Sequence, residues 1–172
     1  MPISAPFARR IAYMLDAQAK AEADGLSTSG QHIIREAAEG NCHTAVDVLF
    51  GFPVERLPLG NLAPNWGGAM DKHTELVAGA TYYASYEDFS NALRKIQKTP
   101  LIIQVEAFHS MAFLGFDESG EGAVFQKTNL GIHNPWEVIS LREVFSRYGR
   151  YEMSLRAPRD VGHPVDRASR DG

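Results

Sequence analysis

The chain has 172 residues, 44% apolar and 22% charged, enough for one domain with a sizeable core and the balance of an ordinary globular protein. Its formal net charge of −4, with acidic and basic residues interspersed, excludes a dominant nucleic-acid surface. No apolar run approaches the roughly 20 residues of a membrane span, so no membrane partner is expected. The first ten residues, Met1 to Arg10, lack the basic region and long apolar core of a Sec signal peptide. The expected location is therefore the cytoplasm, or outside it by an export route that needs no such signal. A single cysteine, Cys42, excludes an internal disulfide and a multi-cysteine zinc site.

In chain order, Ser4 is placed to cap a first helix with Pro6 in its first turn. Phe7, Ile11, Met14 and Leu15 recur on its buried face, and Gly25 stops it. A turn over 26–30 leads to a short helix over 31–39 that Gly40 ends. The next helix starts at Cys42 behind the N-cap candidate Asn41, carries Ala45, Val46, Val48, Leu49 and Phe50, and stops at Gly51-Phe52-Pro53. Residues 53–80 hold many prolines and glycines and few regular signals. A loop of that length is expected to have a role, such as walling a cleft, with Trp66 either a contact there or a buried anchor.

Ser85 with Asp88 predicts a capped helix whose inner face is Tyr86, Phe89, Leu93 and Ile96. The continuous apolar start of 101–105 predicts a strand covered on both faces. A hairpin follows, with strands His109–Phe116 and Ala123–Thr128 joined by a loop containing two glycines. A short strand is expected at 136–139, then a helix capped by Ser140 with Glu143, presenting Val144, Phe145 and Tyr148 inward and stopped by Gly149. A last strand is expected at 151–155. Helices first and an antiparallel sheet after them make an α+β domain over residues 1–156, with a polar tail at 157–172.

The chemistry-bearing residues are Cys42 and His109. A thiolate, not a thiol, attacks a carbonyl, and a helix N-terminus or a neighbouring imidazolium favours the anion. Backbone N–H groups of the same helix start suit the oxyanion that forms after attack. A histidine opening a strand is suited to take the thiol proton and return it to the leaving group. A third polar group orients such a histidine. Gln126 shares a face with His109 on the neighbouring strand. Pairing Phe116 with Ala123, however, sets Gln126 opposite Phe113, about 13 Å along the strand, so a bulge or shifted register is needed. Asn129 and Asn134 are rivals for the role.

Gly40-Asn41-Cys42-His43-Thr44-Ala45 at a helix start, His109-Ser110-Met111-Ala112-Phe113-Leu114-Gly115, and Val124-Phe125-Gln126-Lys127 resemble the cysteine, histidine and third-polar-residue order of papain-like cysteine hydrolases. NlpC-type cell-wall hydrolases are one branch. Asn41-Cys42-x-x-Ala45-Val46-Asp47 followed by Gly51-Phe52-Pro53 is also similar to the opening of papain-fold toxin and deamidase domains. The segment from Trp136 through Tyr148 is similar to the strand-and-helix ending of this group. The chain departs from the NlpC pattern in having His43 rather than a small residue after the cysteine, and glutamine as the third residue. The resemblance covers residues 40–150. It implies a papain-like α+β fold with N-terminal helices on an antiparallel sheet. It also implies a Cys42–His109–Gln126 site acting without a cofactor on an amide of a peptide, protein or peptidoglycan-like substrate. Peptidase, amidase and deamidase share that acyl-enzyme step. An acyltransferase or transglutaminase on the same fold and a non-enzymatic binding module are the alternatives.

Other residues carry less. His43 follows Cys42 on its helix and points about 100° away from it. His32, His73, His133 and His163 open no comparable strand. No H-E-x-x-H spacing supports a metal site built from His43, His73 and a carboxylate. Gln31 has no spacing that requires it to serve the oxyanion. Arg156, Arg159, Arg167 and Arg170 read as a solvated basic tail.

Overall fold

The computed structural model describes residues 8–9, 11–16, 42–50, 52, 73–96, 100–106, 108–127 and 136–159. Helix α1 is Cys42–Phe50, α2 is Tyr86–Lys95 and α3 is Leu141–Tyr148. The strands are β1 Thr74–Thr81, β2 Leu101–Val105, β3 His109–Phe116, β4 Gly122–Lys127, β5 Trp136–Ser140 and β6 Met153–Pro158. They form one six-stranded sheet in the order β1-β6-β2-β3-β4-β5, with every pair antiparallel. The protein is α+β. Among the described residues no helix is long and apolar enough to cross a membrane.

Side-chain alternation along β2 to β4 feeds two cores, one on each face of the sheet. On the first face Ile102, Ala112, Leu114, Phe125 and Trp136 meet Ala45, Val46, Leu49 and Phe50 of α1, with Ile11 and Met14 from the helical residues 11–16. On the second face Leu101, Ile103, Val105, Met111, Phe113 and Val124 meet Phe89 and Leu93 of α2 and Leu141 and Val144 of α3. All five residues of β2 are buried, as its unbroken apolar start predicts.

Both serine caps form. Ser85 Oγ accepts from Asp88 N at 3.1 Å, and Ser140 Oγ accepts from Glu143 N at 3.0 Å. Arg94 in the last turn of α2 lies 3.8 Å over the Phe116 ring and donates to the Gly120 carbonyl at 2.8 Å, tying that helix to the hairpin tip.

Three expectations change. Thr74–Thr81, within the stretch read as irregular, is the edge strand β1. Only Thr74 of it is buried, so its hydrophobic pattern is weak, and pairing with β6 rather than local preference makes it a strand. β6 begins at Met153 and runs to Pro158, with Arg156 in the ladder and its side chain donating to Gln104 Oε1 at 2.9 Å. Third, the hairpin register differs from a simple one. Phe116 pairs with Gly122 and Gly115 with Ala123, but Phe113 then pairs with Val124, leaving Leu114 as an extra residue in β3. Gly115 sits at φ 110°, which glycine adopts without the strain a side chain brings there. The helix expected over 31–39 and the cap Asn41 lie outside the described residues, as do Trp66 and the tail beyond residue 159.

Candidate active site

The bulge at Leu114 and Gly115 builds the first part of the site. Continuing the shifted ladder sets Gln126 beside Met111, two residues from His109 instead of four. Diagonal neighbours of that kind are within reach of long side chains. His109 Nε2 and Gln126 Oε1 are 2.8 Å apart, with both side chains buried. Gln126 Nε2 donates to Glu137 Oε1 at 2.7 Å, from the residue paired with it on β5.

A carboxylate only accepts, so the amide nitrogen of Gln126 faces Glu137 and its oxygen faces His109. That oxygen also only accepts, so the proton of the neutral imidazole resides on Nε2 and the lone pair on Nδ1. Arg147 holds Glu137 in turn, at 3.2 Å, while bonding Glu143 one turn back on α3 at 2.9 Å. These surface pairs add little stability but orient the carboxylate. Tyr148, the next residue on α3, stacks on the His109 ring with centroids 4.9 Å apart and planes 29° apart.

Cys42 is the first residue of α1 and is buried. Its thiol reaches the start of β3 and donates to the Phe108 carbonyl, with Sγ 3.7 Å from that oxygen. Phe108 is bonded to His109, so the sulfur and the imidazole meet the same strand end. His109 leaves the end of β3 on the side of Met111 and Phe113 and Cys42 comes from α1, and the two are neighbours around that end: Tyr148, which stacks on His109, also feels the Cys42 charge. The thiol is bonded to the backbone of this turn and not to the imidazole. The turn carries strain, because Glu106 is a non-glycine residue at φ 48°. It is held by Glu106 N donating to the Glu152 carbonyl at 3.0 Å.

On the α1 face His43, Ser110 and Lys127 are also buried. His43 Nδ1 and Ser110 Oγ are 2.7 Å apart. Ser110 and Lys127 directly follow His109 and Gln126, so strand alternation sends them to the opposite face, where Cys42 lies. That one-residue offset was available in the sequence as a signal for both. Glu137 was recoverable only from the β4–β5 register.

Burial governs the protonation states. It pushes the Cys42 thiol above its ordinary 9.0; N–H donors of Ser110, His43 and Cys42 itself, together with the Lys127 charge, pull it back without overcoming that cost. The expected net depression by the helix start is therefore outweighed. Burial lowers His109, opposed by its Gln126 hydrogen bond and helped by the Arg147 charge. His43 falls from 6.5 to about 4, again mainly through burial, with His109 adding repulsion. The resting pair is a neutral thiol and a neutral imidazole.

Of the residues singled out by sequence, His109 and Gln126 are brought into contact, and Cys42 is brought to the backbone beside them. His43 is engaged with Ser110. His73 stacks on Phe52 at 5.2 Å. Asn129, Asn134, Gln31, His32, His133 and His163 lie outside the described residues. Among the described residues no group of three His, Cys, Asp or Glu side chains is arranged to hold a metal ion. No protein-family model, no curated protein and no solved structure matches this chain.

Proposed function

We propose that the chain is a papain-like cysteine hydrolase that cleaves an amide bond through Cys42, His109 and Gln126. The observation that carries this reading is the fixed tautomer of His109. Its Nε2–H is committed to Gln126 Oε1 at 2.8 Å, which leaves Nδ1 as the base. Glu137 supports it by locking the amide the right way round.

The reaction starts from the neutral pair. The thiol exchanges the Phe108 carbonyl for Nδ1 as the substrate carbonyl arrives. The S–H proton passes to Nδ1 while sulfur bonds to the carbonyl carbon, and the π electrons move onto oxygen. The oxyanion is stabilised by first-turn N–H groups of α1, which have no partner within the helix. Collapse breaks the C–N bond, and the imidazolium gives its proton to the departing amine. Water then adds to the thioester with Nδ1 taking its proton, and the acid and the free thiol are released. Gln126 and Glu137 keep the ring oriented through both half-reactions.

The test uses p-nitrophenyl acetate as a generic acyl donor. The full chain should acetylate at Cys42 with a burst of nitrophenol, seen by intact mass and absorbance. Cys42→Ala should abolish the adduct, and His109→Ala should slow it by about 100-fold, within the range for a general base. Acetylation at another residue, or an unchanged rate in His109→Ala, refutes the reading.

A further inference from the structure

We propose that Lys127, held between β4 and α1, is the fixed positive charge that stabilises the Cys42 thiolate during attack. The inference rests on Cys42 being the nucleophile and adds a residue that the cysteine, histidine and glutamine order does not include.

Three observations carry it. Lys127 is 1% exposed, and the shifted β3–β4 ladder continues to set it opposite Ser110, whose backbone N–H reaches the Cys42 sulfur. Lys127 pairs in register with Trp136, which belongs to the core beneath α1, so its side chain leaves the sheet on the side of Cys42 and not of Gln126. Lys127 and Cys42 also stabilise each other's charged forms reciprocally. Burial brings the ammonium down to about 8, so at neutral pH it is still largely charged.

The other titratable groups around the thiol do not supply that charge. His43 on α1 is neutral down to about pH 4. His109 on β3 is neutral at rest and becomes cationic only as it accepts the thiol proton. Tyr148 on α3 is neutral, because burial raises its phenol and Cys42 adds a little to the rise against the Arg147 charge. Arg147 is committed to Glu137 and Glu143 on the opposite face. Lys127 therefore works with the base: the imidazole removes the proton, and the ammonium holds the electron pair left on sulfur. As a positioning residue it acts through the thiolate and takes no proton.

The test follows alkylation of Cys42 in the full-length protein by iodoacetamide across pH. Lys127→Met should slow the reaction near pH 7.5, where the ammonium is charged, about tenfold, and the two profiles should converge above about pH 9, where it is not. A profile that overlays the wild type overturns the proposal. A second measurement keeps Lys127 in place and so decides even where methionine disturbs folding. With ¹³C-labelled lysine, Lys127 is titrated by NMR in Cys42→Asp, which holds a permanent anion at the sulfur position, and in the neutral Cys42→Asn. Lys127 should titrate higher in Cys42→Asp, and equal values overturn the proposal. His109→Ala in the same alkylation series separates the two readings. If alkylation depends on Lys127 but not His109, the imidazole-base mechanism fails alone. If it depends on His109 but not Lys127, this inference fails alone.

Discussion

Acidification should destabilise the wild-type protein more than a His43→Asn variant. His43 is 2% exposed beside Cys42, and its folded pKa of about 4 lies below the ordinary 6.5. The unfolded chain therefore binds this proton first as pH falls, and stability drops with pH between about 6.5 and 4. At pH 5 the unfolded imidazole is protonated and the folded one mostly is not, which amounts to about 2 kcal/mol relative to pH 8. Below pH 4 the full gap of about 2.5 pH units approaches about 3.4 kcal/mol. Asparagine cannot titrate here, so thermal or urea melts at pH 8 and pH 5 should show wild type losing about 2 kcal/mol more than the variant. In a domain of this size that is roughly 4–8 °C in Tm. His109 is lowered as well, but it contributes to both proteins and cancels in the comparison. Curves that fall in parallel would refute the view of His43 as a buried neutral imidazole sealing the α1 face.

Two further outcomes follow from the site. Because burial raises Cys42 and lowers His109, iodoacetamide labelling should keep accelerating through pH 9, and the acid limb of any acyl-transfer activity should lie below the 6.5 of a free imidazole. A labelling plateau already reached below pH 7 would mean a preformed thiolate–imidazolium pair and contradict this. Gln126→Leu removes the acceptor for His109 and the donor for Glu137 in one step. It should cost about 2–3 kcal/mol through the partners left unsatisfied and slow acetylation of Cys42 at least tenfold. Full activity in that variant would remove Gln126 from the mechanism.

Much of the architecture was legible locally. The two serine caps lie in capping-box spacing, and each needs only its own first turn to form. The five apolar or neutral residues of β2 specify burial on both faces without knowledge of the neighbours. β1 was not legible, because an edge strand with one buried residue has almost no pattern of its own and is defined by β6. The Lys127 placement was half legible: alternation separates it from Gln126, but only the packing of α1 gives its face a thiol.

The sequence by itself singled out the candidate residues, namely Cys42 at a helix start, His109 at a strand start and Gln126 on the adjacent strand. The contact of His109 with Gln126 was a tertiary matter. A hairpin pairing Phe116 with Ala123 keeps Gln126 about 13 Å along from His109; pairing Phe116 with Gly122, and the extra residue at Leu114 allowed by the positive φ of Gly115, each shift the ladder by one and together bring the side chains to 2.8 Å. The protonation states were also decided by tertiary structure. A helix N-terminus favours the Cys42 anion locally, but burial between α1 and the sheet costs more than those few N–H groups return.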